Sequence, residues 1–192
     1  MRKKKINLWK DSLSYLKESQ DYIAIVVLLF FASSLVTFII PGKFVFFNEF
    51  LKDIVSRTEG FGTFRLILFI FQNNITSAFA SMIFGLALGI FPIFNIIFNG
   101  GILGYVAALT TDKFGFFSLW RILPHGIFEL PAIFISIGLG IRLGTFIFSR
   151  KKRKLDELKY RFWSSMKVFF TIVLPLLVIA AIIEGLLIGL SR

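Results

Sequence analysis

Residues 75–111 read ITSAFASMIFGLALGIFPIFNIIFNGGILGYVAALTT, apolar almost throughout. As one helix, about 37 residues at 1.5 Å each would reach about 55 Å, while the hydrocarbon core of a bilayer is about 30 Å thick. The chain must turn inside this stretch. Gly89, Pro92 and Asn95 mark the turn, since glycine, proline and asparagine are the usual punctuation of a helix. Two membrane spans follow, near 73–91 and 93–111.

Outward from this hairpin the same pattern recurs. Tyr22–Ile40 is an apolar run bounded by Asp21 and Pro41, and further spans are expected near 124–148 and 168–190. The whole chain of 192 residues is 56% hydrophobic, with a mean hydropathy of +0.81, above the roughly 45–50% apolar content of soluble domains. The fold class is therefore all-α: a polytopic transmembrane bundle of about five spans, with short re-entrant or interfacial helices. No polar linker is long enough to divide it, so 1–192 is one domain. The first span reads as a retained anchor rather than a removed signal peptide, because no small-residue cleavage site follows it.

Charge sets the orientation. Residues 1–21 carry six Lys and Arg and 150–167 carry eight, together 14 of the 22 in the chain. The positive-inside rule places both segments in the cytoplasm. Four spans lie between them, which agrees. The expectation is a multi-pass cell-membrane protein, with 1–21 a cytoplasmic amphipathic segment, 150–167 a basic cytoplasmic loop, and the C-terminus outside. The net charge of +11 is explained by a basic face against anionic lipid and calls for no nucleic-acid partner.

Three stretches look amphipathic: Ile6, Trp9, Leu13 and Leu16; Leu155, Leu158 and Phe162; and Phe46, Phe47, Phe50, Leu51, Ile54 and Val55. Each reads as a helix lying in the interface. Phe64–Phe71 and Phe114–Leu123 are apolar but too short to cross. Both read as re-entrant half-helices leading into a span through polar or helix-breaking residues, as two loosely parallel units.

Ser77, Ser81, Gly85 and Gly89 are spaced by four and form one small-residue face. Gly140 and Gly144 repeat the spacing, as do Gly185 and Gly189. Small residues let helices approach closely in lipid, either within the bundle or between two copies, and a homodimer is expected.

The ionisable residues carry the remaining signal. His125 is the only histidine, and Glu129 follows four residues later, on one helix face. By the expected topology Asn73, Asn74, Arg121, His125, Glu129 and Glu184 share the outer depth of the bundle. Asn95 and Asn99 lie toward the cytoplasm, and Arg142 is within snorkelling reach of the inner interface. Three readings of the outer set stand open: a structural polar network, a water-lined site for protons, ions or a small solute, or a metal site. His125 and Glu129 are both zinc ligands by type, but two are too few for a complete site unless a symmetric dimer doubles them. Cys is absent, and no His-Glu-x-x-His, Gly-x-Ser-x-Gly or phosphate-cradling loop occurs, so no enzyme activity and no resident cofactor is expected.

With these residues laid out, the chain resembles the stage II sporulation protein M family of polytopic membrane proteins. The resemblance rests on Asn73-Asn74, the Gly85–Gly89 region, Asn99-Gly100 with Gly104, and above all Leu123-Pro-His-Gly-Ile-Phe-Glu-Leu-Pro-Ala132. It covers Phe64 to Phe148 well and the flanking spans in layout. The family implies about five spans, a non-enzymatic scaffold that holds cell-wall hydrolases together during engulfment of the forespore, and no catalytic residues. The expectation for this chain is a scaffold that organises membrane or cell-envelope partners. The alternative is a transporter or channel component with its polar site in the outer half of the bundle, or a metal-binding membrane protein using His125 and Glu129.

Overall fold

A computed structural model describes residues 7–87, 89–121, 123–149 and 153–190; the side chains at 120, 121, 123–125, 189 and 190 lie outside that description. Among the described residues every regular element is helical: α1 Leu8–Glu18, α2 Gln20–Ile39, α3 Phe46–Thr58, α4 Thr63–Phe84, α5 Ile90–Phe114, α6 Leu123–Gly144, α7 Lys154–Val168 and α8 Leu174–Leu190. Five helical segments are long and apolar enough to cross a membrane.

Local sequence explains most boundaries. Asn7 caps α1 by accepting from the Lys10 amide at 3.1 Å. At the far end of α2, Ile40 leaves the helical region and Pro41 opens a short 3-10 turn. Between α4 and α5 the chain reverses at Gly85–Gly89, where Gly89 takes the left-handed conformation (φ 73°) that a side chain disfavours. Pro92 falls in the first turn of α5, where its missing N–H costs no intrahelical bond.

Three expectations fail. Phe64–Phe71 is no half-helix: it is the first part of α4, which runs unbroken through Gln72-Asn73-Asn74. The second span is thus Thr63–Phe84, starting about ten residues earlier than 73–91; within the helix Asn73 bonds to Asn74, and both line a cavity rather than breaking the chain. Phe114–Leu123 is no half-helix either; α5 continues to Phe114 and a 3-10 turn, Phe116–Arg121, joins it to α6. Finally, α7 is not a separate interfacial helix. It continues into α8 through a π-helical turn at Phe169–Val173, making one 35-residue helical segment, Lys154–Ile188. The wide turn ends two residues before Pro175 and contains Thr171, the residue four back from it, whose carbonyl the proline ring would meet in a regular helix.

α6 is the central rod. Its apolar window is 67% buried, against 17–33% for the other four, because α2, α4, α5 and α8 all pack on it. Lipid supplies no hydrophobic drive between helices, so close backbone approach must hold the bundle. A Cβ on Gly85 would overlap the Gly140 carbonyl, one on Gly140 the Ser81 carbonyl, and one on Gly144 the Gly85 carbonyl. The Ser81–Gly85 edge of α4 is therefore seated on the Gly140–Gly144 edge of α6, inside one molecule. The second such seam joins α2 and α5, where Gly100 faces Phe30 and Ser33, and Gly104 faces Ser34 and Thr37.

α1 lies against α7 at the end of the bundle where α2 begins. Buried Tyr15 joins Val168, Phe169 and Val173 in one apolar core. α3 buries Phe47 against Gly101, Phe98 and Tyr105 of α5. That leaves the charged face of α3 beside the gap between α4 and α5.

Candidate functional site

A cavity of about 590 Å³ opens between these helices, lined by Asp53 and Arg57 of α3, Asn73, Asn74 and Ser77 of α4, Asn95 and Asn99 of α5, Glu129 of α6 and Glu184 of α8. The structure thus brings Asn73, Asn74, Glu129 and Glu184 to one space. The side chains of Arg121 and His125 lie outside the described residues. Phenylalanines 50, 69, 91, 94 and 98 form its apolar walls.

Its depth differs from the sequence expectation. Because α4 begins at Thr63, Asn73 and Asn74 sit at the middle of that helix, not at its mouth. Asn95 and Asn99, expected on the far side, belong to the same cavity. α4 and α5 are antiparallel about the Gly85–Gly89 turn, so Asn95 comes level with Ser77 and Ser81. The Asn95 amide donates to both hydroxyls at 3.0 Å. Asn99 in turn donates to the Asn95 backbone carbonyl at 2.9 Å and to its side-chain oxygen. Asn73 donates to Asn74 Oδ1 at 3.3 Å. The signal that finds Asn95 in the sequence is hairpin register: it stands six residues after Gly89, and Ser81 stands eight before it.

Chemically this is a cluster of amides and hydroxyls with the carboxylates of Asp53, Glu129 and Glu184 and the guanidinium of Arg57, in an otherwise apolar lining. Such groups hold water or a polar solute by hydrogen bonding, and equally fix helix register. No group of three or more His, Asp or Glu side chains able to hold a metal occurs among the described residues.

A second polar assembly lies at the end formed by α1 and α7. Arg142 is not snorkelled to lipid; it is 8% exposed and fully engaged. Its guanidinium donates to Glu18 Oε2 at 2.7 Å, to Ser19 Oγ at 2.7 Å and to the Tyr15 carbonyl at 3.1 Å, and stands 4.0 Å from the centre of the Tyr15 ring. Arg161 pairs with Glu157 at 2.8 Å, both buried, and donates to the Arg142 carbonyl and to Thr145 Oγ1. The Tyr15 hydroxyl donates to the Arg161 carbonyl at 3.3 Å. Burial pushes its pKa above the ordinary 10.0, with Ser165 and the two arginines opposing. The sequence signal for part of this was the Glu157/Arg161 spacing of four; the Arg142–Glu18 pair spans 124 residues and left no local trace.

The family model described as Stage II sporulation protein M matches residues 22–187, nearly the whole helical bundle. The chain belongs to the stage II sporulation protein M family. It is a multi-pass membrane protein of that family, as its five apolar helices require. Among relatives, it is 30% identical over 192 residues to the uncharacterized protein MJ0706 of Methanocaldococcus jannaschii, covering 92% of this chain and 85% of that one. It is also 30% identical over 122 residues to the uncharacterized protein MJ0793 of the same archaeon, covering 60% and 66%. No solved structure matches the chain.

Proposed function

We propose that this member of the stage II sporulation protein M family is a non-enzymatic membrane scaffold, which seats other transmembrane helices on its flank. One observation carries the reading: Gln72 and Thr76 are exposed at the middle of α4, on an open groove that also takes in Asn73, Ser77 and Asn95. Polar side chains at that depth are characteristic of helix–helix contacts, where they hydrogen-bond across the interface. The α1–α7 network supports the same reading, since it fixes a basic platform to one end of the bundle.

The test is a photo-crosslinking residue at position 76 in native membranes, with and without Glu129→Gln. A scaffold gives a protein adduct of discrete mass that survives the Glu129 substitution; adducts with lipid alone would remove the reading. The proposed orientation puts the basic platform in the cytoplasm. A cysteine replacing Lys113 then labels from outside and one replacing Lys159 does not.

The cavity favours a second reading, a transporter or channel component. In vesicles, that reading requires a solute or ion flux that Glu129→Gln abolishes while the protein still assembles. Undiminished flux in the variant, or none in either protein, rules it out.

A further inference from the structure

Of the 13 residues of α3, only Phe47 and Thr58 are buried, and Thr58 is the last of them. Phe47 is therefore the one deep anchor of this helix. Its ring sits against Gly101, where a Cβ would stand 3.0 Å from it, with the rings of Phe98 and Tyr105 at 5.3 and 5.7 Å. Both flanks of α3 run through open space: a Cβ on Gly42 before it, or on Gly60 or Gly62 after it, would meet nothing within 4 Å. Gly60 has φ 75°. Phe61 is fixed on α4 by the Phe69 ring at 6.0 Å and the Arg65 guanidinium at 4.0 Å, so any swing of α3 falls at Gly60. Phe50, Asp53, Ile54 and Arg57 recur at three- and four-residue steps, on one face of α3, and all four line the cavity.

We propose that α3 is a hinged gate over the cavity, swinging about Gly60 and latched by Phe47 in the notch at Gly101. This rests on the second reading of the cavity, as a solute site, and supplies its way in. Three features make α3 the moving part. Segments with few buried contacts open at the least cost, and here one ring carries the attachment. The polar groups on the gating face need no new partner when it lifts: Arg57 bonds Asp53 at 2.9 Å within α3, and more than half of each side chain is already exposed. The position also fits. α3 joins the end of α2 to the start of α4, at the end of the bundle opposite α1 and α7. Gly101 completes the latch, since a side chain there would crowd the Phe47 ring.

Because the chain has no cysteine, an introduced one is unique. In nanodiscs, where a reagent reaches both faces of the full-length protein, Ser77→Cys reports from inside the cavity and Lys113→Cys from the exposed end of α5. A charged, water-soluble maleimide should label Ser77→Cys slowly. Phe47→Ala should speed that labelling by about tenfold, and Phe47→Leu by less, with Lys113→Cys unchanged. Equal rates at Ser77→Cys with and without Phe47 overturn the gate. Because Phe47→Ala removes a buried ring, the intact latch is tested as well. Spin labels at Lys52→Cys on α3 and Lys113→Cys should report two distances, and a single narrow distance overturns the gate. The flux measurement with Glu129→Gln judges the solute reading separately. Flux with unchanged labelling keeps that reading and removes the gate; labelling that follows Phe47 without any flux keeps the gate and removes the reading.

Discussion

The guanidinium of Arg142 stacks over the ring of Tyr15, 4.0 Å from its centre, across 127 residues of chain. The contact fastens the amphipathic N-terminal helix to the core of the bundle. A cation on an aromatic face is worth about 2 kcal/mol when desolvated, and the hydrogen bonds to Glu18 and Ser19 add to it. Glu18 is half-exposed, so its charge contributes less than its distance suggests.

Replacing Arg142 by alanine is expected to destabilise the detergent-solubilised protein by about 3 kcal/mol. Arg142→Lys should recover part of this, keeping the charge and losing the planar fork. Thermal unfolding checks the order, and limited proteolysis should show α1 cut first in the alanine variant. Equal stability of all three proteins would mean that the latch carries no energy.

Glu157 and Arg161 are buried together, at 6% and 11% side-chain exposure. Glu157→Gln leaves a guanidinium uncompensated and should cost about 3–5 kcal/mol. The double variant Glu157→Gln, Arg161→Leu should be less damaged than the single one, because the orphaned charge is gone. A double-mutant cycle on unfolding free energies measures this coupling.

Gly85→Ala and Gly140→Ala each drive a methyl into a backbone carbonyl of the facing helix. Each is expected to cost about 1–3 kcal/mol through separation of α4 from α6. Gly42→Ala, with nothing within 4 Å of its added carbon, is the control and should change stability by less than about 0.5 kcal/mol. Steric trapping or denaturant unfolding in bicelles distinguishes them.

Burial raises the Tyr15 pKa above 10.0, so the folded protein binds this proton more tightly than the unfolded chain. The resulting stability is fully present below the ordinary phenol value and is lost as pH rises through the folded one. Stability measured from neutral to strongly alkaline pH should therefore fall more steeply in the wild type than in Tyr15→Phe. Parallel curves would show that Tyr15 ionises as freely folded as unfolded.

The resemblance to the family was already legible in Pro124-His-Gly with Glu129 and Pro131, and the hairpin in Gly89. Less legible was where α4 begins. Gln72-Asn73-Asn74 reads as a break by local preference, yet α4 runs through it, and Asn73 and Asn74 line the cavity between α4 and α5, a setting that local sequence does not display. That shift of about ten residues moved Asn73 and Asn74 from the mouth of the bundle to its middle and brought Asn95 and Asn99 in beside them.

The sequence by itself determined what must be solved by burial: five apolar segments too long and too greasy for water, with the basic residues gathered into two segments an even number of spans apart. Those follow from transfer free energy, which is additive along a chain. Only the tertiary structure decided which faces meet. Whether a glycine edge is consumed inside the molecule or left for a neighbour, and whether an arginine reaches for lipid or for Tyr15, depends on helix rotation and register. Those are set by contacts between residues distant in the chain, and no local pattern encodes them.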